Sequence, residues 1–146
     1  MIKIQLKKLS EKAKTPTYAT AGSAAFDFYA TEPLQLTYGS PVIVNTGIAV
    51  KLPEDYAMLI FSRSGHGFKH NARLSNCVGV IDSDYTGEIK IKMTMDFPSY
   101  INTLGIQEGD RIAQGIVLPI PKVVFEEVNF LPITQRGDGG LGSTGS

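Results

Sequence analysis

The feature that most limits what this chain can fold into is its punctuation. Proline or glycine interrupts the apolar pattern at Pro33, Gly39, Pro41, Gly47, Pro53, Gly65, Gly79, Gly87, Pro98, Gly105, Gly109, Gly115 and Pro119. Between the breaks apolar and polar side chains alternate, with almost no helical periodicity. That spacing predicts short strands in an all-β sandwich or barrel, with at most one short helix, near Gly67 to Asn71. The clearest strand is Ile89 to Asp96, where Ile89, Ile91, Met93 and Met95 are apolar and Lys90, Lys92, Thr94 and Asp96 polar, as in a half-buried strand.

Other strands are expected where Ile2, Ile4 and Leu6 alternate with Lys3, Gln5 and Lys7, at Leu34 to Leu36, and at Tyr56 to Phe61. A longer one runs from Val42 to Leu52, broken at Thr46-Gly47, and Pro53-Glu54-Asp55 is a turn. Phe97 to Gly109 reads as loop. Ile116 to Ile120 reads as a strand that Pro119 and Pro121 end at a sheet edge, and Val123 to Val128 as one more. Asp27, between Phe26 and Phe28, is expected to point away from the face those rings bury.

Two stretches carry candidate chemistry. Val78 to Ile81 and Ile89 to Asp96 flank a turn holding Asp82, Asp84 and Tyr85, and the whole reads as a β-hairpin that fixes a carboxylate and a flat ring toward a ligand. An ordinary acidic turn is the competing reading. Asp82, Asp84 and Gly87 match the first, third and sixth places of a calcium loop, but Thr86 and Met93 stand where ligands belong and strands replace its helices. Ser62-Arg63-Ser64-Gly65 places a guanidinium, two hydroxyls and glycine-freed N–H groups at a strand end, a set suited to phosphate oxygens, though it also fits a plain polar turn. Further on, Arg111 and Gln114 beside Gly115 again suit an anion, while Asp110 with Arg111 also fits a structural pair. His66 and His70 have no further ligand nearby, so a zinc site is not expected.

At 146 residues one domain with a real core is expected. The 14 basic and 14 acidic residues cancel, which gives no sign of a nucleic-acid or membrane partner. One cysteine, Cys77, allows no internal disulfide and fits a reducing compartment. No apolar run has membrane-spanning length and Met1 to Leu9 lacks the apolar core of a signal peptide, so a cytoplasmic location is expected. The chain is expected to divide into a β-barrel domain over 1–132 and a glycine-rich arm over 133–146, whose final ten residues include five glycines and are expected to be flexible. Gly137, Gly139 and Gly142 match the dinucleotide fingerprint and 137–144 nearly matches a P-loop, but neither has the strand and helix it needs.

Five segments together resemble the homotrimeric dUTP pyrophosphatase (dUTPase) family, in the family's order and nearly its spacing. They are Ser23 to Phe28, Arg63-Ser64-Gly65, Asn76 to Glu88, Gly109 to Gln114 and Arg136 to Gly145. The resemblance covers essentially the whole chain. It implies a distorted jelly-roll-like β-barrel, with 1–132 as the catalytic domain, and a threefold trimer with active sites between subunits. It also implies hydrolysis of dUTP to dUMP and pyrophosphate, keeping uracil out of DNA and supplying dUMP for dTMP synthesis, with Mg²⁺ held mainly by the triphosphate. Asp82 then matches the carboxylate that activates water for attack on the α-phosphorus. Tyr85 matches the ring under the deoxyribose that excludes a 2′-hydroxyl, and Asn76 with the backbone around Val80 matches the uracil-reading edge. Arg63, Ser64, Gly65 and Gln114 match phosphate contacts, and Asp27 a carboxylate acting through metal-bound water. Arg136, Gly140, Leu141, Ser143 and Thr144 belong to an arm closing over a neighbour's site.

The chain departs from the family pattern at Ala25 for glycine, His66 for an apolar residue and Leu141 for the aromatic that stacks on uracil. A dCTP deaminase shares the fold and an Arg-Ser segment but lacks the glycine-rich arm. A dUTPase-like nucleotide sensor would keep the pocket without turnover, against which the intact Asp82 argues.

Overall fold

A computed structural model describes residues 1–96 and 103–140. They form eleven strands and one short helix. The strands are β1 Gln5–Lys8, β2 Thr17–Tyr18, β3 Phe26–Tyr29, β4 Leu34–Thr37, β5 Val42–Lys51, β6 Tyr56–Phe61, β7 Ala72–Leu74, β8 Val78–Ile81, β9 Glu88–Met95, β10 Thr103–Ile106 and β11 Arg111–Pro119. Helix α1, Ser64–His70, lies between β6 and β7. A four-stranded sheet in the order β1-β5-β9-β7 and a five-stranded sheet in the order β2-β3-β11-β6-β8 enclose the core, and β10-β4 forms a two-stranded ribbon. The architecture is all-β, as the punctuation predicted, and jelly-roll-like, as the resemblance implied.

The alternation in β9 does what its pattern requires: Ile89, Ile91, Met93 and Met95 are all buried, each worth about 1.5–3 kcal/mol of apolar burial. They meet Phe28, Leu36, Val44, Ile48, Met58, Ile60 and Ile112 in one cluster. The break expected at Thr46-Gly47 is a β-bulge, where the β5–β9 register shifts between Asn45 and Ala49. Gly47 adopts φ +63°, and a Cβ there would stand 2.8 Å from the Cβ of Ala13. Buried Thr46 ties the bulge down by donating from Oγ1 to the Ile89 carbonyl at 2.6 Å.

Several expectations are corrected. Val78 to Ile81 and Ile89 to Asp96 do not form a hairpin. β8 pairs with β6 along Met58 to Phe61, while β9 pairs with β5 and, at Met93 to Met95, with β7, so the two strands belong to different sheets. The acidic turn is a corner between sheets. β11 begins at Arg111 and is the central strand of its sheet, not an edge; Pro119 is tolerated as its last paired residue, opposite Tyr56. Part of the stretch read as loop, Thr103–Ile106, is β10, and residues 97–102 lie outside the described ones. Val123 to Val128 is not a strand, because it leaves the barrel with no partner edge among the described residues. α1 starts at Ser64, three residues before the helix expected at Gly67. β2 and β7, too short to show alternation, were not expected at all.

Candidate active site

The central strand β11 organises a phosphate-sized cleft. Gln114 of β11 lies opposite Asp27 of β3 on one side and Phe61 of β6 on the other. Pairing across three adjacent strands therefore brings Asp27, Gln114 and the Arg63-Ser64 segment that follows β6 together. On the opposite face of β11 a Cβ on Gly115 would stand 2.6 Å from the ring of Phe26, so glycine there leaves room for the core rings. The cleft, of about 390 Å³, is lined by Ser23, Ala24, Ala25, Asp27, Arg63, Ser64, Arg111 and Gln114, with Ala19 and Ile116.

Its polar wall is an ionic triad. Arg63 Nε donates to Asp27 Oδ1 at 3.1 Å and Arg111 Nη1 to Asp27 Oδ2 at 3.3 Å. Arg63 Nη1 also donates to the Arg111 carbonyl at 3.0 Å, and Gln114 Nε2 to the Ser62 carbonyl at 2.9 Å. The expectation that Asp27 points away from the core rings holds only in direction. It is buried, because the two guanidiniums cover it.

Behind the cleft, on α1, the Nδ1 of His66 is buried without a hydrogen-bond partner. Burial, then the charges of Arg63 and His70, push its pKa below the ordinary 6.5, with Asp110 and the Ile112 backbone acting the other way.

The corner after β8 carries the second group of residues. Asp82 is exposed and makes no ion pair among the described residues, and its carbonyl accepts the Tyr85 N–H at 3.2 Å to close the turn. The Tyr85 ring folds back across Gly87, its hydroxyl donating to the Glu88 carbonyl at 2.9 Å. A Cβ on Gly87 would lie 2.6 Å from that hydroxyl, so glycine leaves the room in which the ring lies. Lys51 Nζ reaches from β5 to the Ser83 carbonyl at 2.8 Å and pins the corner to the other sheet. Asn76 precedes β8 in a tight turn where Cys77 adopts φ +62°, and Val80 is exposed on the outer face of the strand.

Within one chain the two groups stand apart. Ile81 pairs with Met58, so Asp82 falls level with Ala57, six residues before Arg63 along β6. At about 3.3 Å per residue that is on the order of 20 Å, far beyond the reach of one triphosphate. Among the described residues of the arm no hydrogen bond bridges the gap: those of Arg136 and Gly137 stay within 134–139, with Arg136 Nε donating to the Gly139 carbonyl at 2.9 Å. Gly140 is exposed, and Leu141, Ser143 and Thr144 lie outside the described residues. Arg111, which the sequence left between an anion contact and a structural pair with Asp110, is paired with Asp27 instead.

A two-sheet β-barrel with a guanidinium-lined cleft on its central strand and an acidic, tyrosine-bearing corner at its edge is a protein built for phosphorylated ligands. Similarity to known proteins narrows that class to one family. The dUTPase family model matches residues 11–145, and the chain belongs to the dUTPase family. It is 41% identical over 149 residues to the deoxyuridine 5′-triphosphate nucleotidohydrolase of Dictyoglomus turgidum, covering 99% of each chain. The enzyme of the same name from Wolinella succinogenes is 43% identical over 145 residues, covering 99% of this chain and 95% of that one. Among solved structures, the dUTPase of Staphylococcus bacteriophage 80alpha with dUPNHPP superposes with a TM-score of 0.89 at 27% identity, covering 99% of both chains. A mutant dUTPase from phage phi11 of S. aureus, whose structure concerns coordination of a structural Mg(II) ion, gives 0.78 at 26% identity, covering 88% of this chain and 97% of that one.

Proposed function

We propose that this chain hydrolyses dUTP to dUMP and pyrophosphate, water attacking the α-phosphorus, which keeps uracil out of DNA and supplies dUMP for dTMP synthesis. Asp82 is the base. An exposed carboxylate without an ion-pair partner among the described residues is free to take a proton from an in-line water. Tyr85 lies flat under the sugar and leaves no room for a 2′-hydroxyl, and Asn76 with the β8 backbone at Val80 reads the uracil edge, where a mispaired polar group would go unsatisfied. Arg63, Ser64, Gly65 and Gln114 hold phosphate oxygens.

The observation that carries the architecture is the separation of Asp82 from Arg63 along β6. A site using both must draw them from different subunits, and a threefold homotrimer with three shared sites meets that need. Exposed Val78 and Val80 on β8, Phe68 on α1 and Val124, Phe125, Phe130, Leu131 and Ile133 after the last strand supply apolar surface for such contacts. The segment 133–146 serves as an arm that brings Arg136, Gly140, Leu141, Ser143 and Thr144 over a neighbour's nucleotide.

Mg²⁺ is held through the triphosphate, where it neutralises phosphate charge. The described residues include no group of three or more His, Cys, Asp or Glu that could hold a metal ion by themselves, and Asp27 in the cleft already spends both oxygens on arginines. No helix of the described residues is long and apolar enough to cross a membrane, in keeping with work on a free nucleotide in the cytoplasm.

The test is turnover. Pyrophosphate release from dUTP with no ammonia from dCTP is expected; ammonia from dCTP would favour the deaminase, and binding of dUTP without turnover would favour a sensor.

A further inference from the structure

We propose that Asp27 is a positioning residue that locks the Arg63 and Arg111 guanidiniums into one rigid pair, and that Arg111 is thereby a phosphate-binding residue of the cleft. The proposal rests on the functional reading above for its substrate.

Two guanidiniums on one wall repel each other, and a carboxylate between them removes that cost while holding both in place. Asp27 fits the part: its side chain is only 10% exposed, and each oxygen accepts from a different arginine. The triad keeps one net positive charge. Arg63 uses Nε on Asp27 and one Nη1 bond on the Arg111 carbonyl, and Arg111 uses Nη1 on Asp27. The remaining N–H groups of both forks are unspent in the described bonds, and both side chains line the same cleft as Ser64 and Gln114. Arg111 has the more accessible side chain, 47% against 22% for Arg63. This arrangement disagrees with the role that family resemblance implies for Asp27, a carboxylate meeting metal-bound water. A hydrated cation approaching Asp27 would meet two positive groups, and its water would have to share oxygens that each already accept from an arginine.

The test uses the full chain, with calorimetric binding of Mg²⁺–pyrophosphate beside dUTP kinetics. Arg111→Gln is expected to weaken pyrophosphate binding and raise KM for dUTP by roughly 10-fold or more, the range of a charged hydrogen bond. Arg111→Lys, which keeps the charge but loses the fork, should recover only part of this. Asp27→Asn should give a similar loss with an unchanged Mg²⁺ concentration dependence, and the double variant should be little worse than the poorer single one, because both act through the same pair. Wild-type pyrophosphate affinity in Arg111→Gln would overturn the proposal. So would a shifted Mg²⁺ dependence in Asp27→Asn, or additive losses in the double variant. If Asp27→Asn fails to fold, Arg111→Gln and Arg111→Lys decide alone, since Arg111 is half exposed. Wild-type protein that binds pyrophosphate but leaves dUTP intact would sink the substrate assignment and leave the arginine pair standing.

Discussion

At the scale of single residues, three side chains carry consequences that can be measured separately. On the proposed assignment, Asp82→Asn takes away the base and not the pocket, so kcat should fall by about 10²–10⁴-fold while a non-hydrolysable dUTP analogue still binds. Turnover at the wild-type rate would remove Asp82 from that role. Tyr85→Ala should raise activity on UTP relative to dUTP, and Gly87→Ala should do the same less completely. The added methyl would meet the Tyr85 hydroxyl at 2.6 Å and push the ring off its bed. An unchanged sugar preference in both would place discrimination elsewhere. His66 bears on stability. Its pKa lies below the ordinary 6.5, so the unfolded chain binds that proton more readily than the folded one. His66 therefore takes nothing from stability well above pH 6.5 and an increasing amount as the pH falls through it. Replacing the imidazole by His66→Leu should flatten that decline in chemical denaturation midpoints, and an equal slope in both proteins would show that the loss comes from other groups.

At the scale of elements, the bulge in β5 is the point most sensitive to change. Gly47→Ala combines a left-handed backbone angle of φ +63° with a Cβ only 2.8 Å from that of Ala13, and should cost roughly 2–4 kcal/mol, read as a lowered thermal midpoint. A midpoint unchanged within error would mean that the bulge relaxes freely. This element was legible in the sequence because glycine after a polar Thr interrupts an apolar run. β9 was legible for the opposite reason, its unbroken alternation. What alternation cannot report is which edge a strand offers. Val78–Ile81 and Glu88–Met95 look like two arms of one hairpin, yet β8 pairs with β6 in one sheet and β9 with β5 and β7 in the other. The central place of β11 was hidden by its prolines in the same way. The candidate site was legible as residue types in two groups: Arg63 and Gln114 meet in one cleft, and Asp82 and Tyr85 share one turn. The Asp27 triad was not, because a carboxylate on β3 and guanidiniums from the end of β6 and the start of β11 meet only through sheet order.

At the scale of the whole molecule, the distance between the Asp82 corner and the phosphate cleft is the ground for the proposed shared site, and the segment after Pro119 makes the sharing testable. Past the bond from the Ile120 N–H to the Asp55 carbonyl, its apolar residues are exposed and the described hydrogen bonds of 134–139 are local, as the proposed reach to a neighbour's barrel requires. Consider two inactive variants, Asp82→Asn with its arm intact and a truncation after Leu131 that keeps Asp82. Each homotrimer should be dead. In any mixed trimer, one circuit of the ring meets one place where a subunit with Asp82 faces a subunit that donates an arm. One site in about three then works, whichever variant is in excess. Equal amounts unfolded and refolded together give mixed trimers in roughly six of eight ordered combinations, so about a quarter of wild-type activity should return. An arm that served its own subunit would leave every site lacking either the base or the lid. Mixtures that stay inactive, although mass measurement shows exchanged subunits, would rule out the trans arm and return the exposed apolar tail to some other contact.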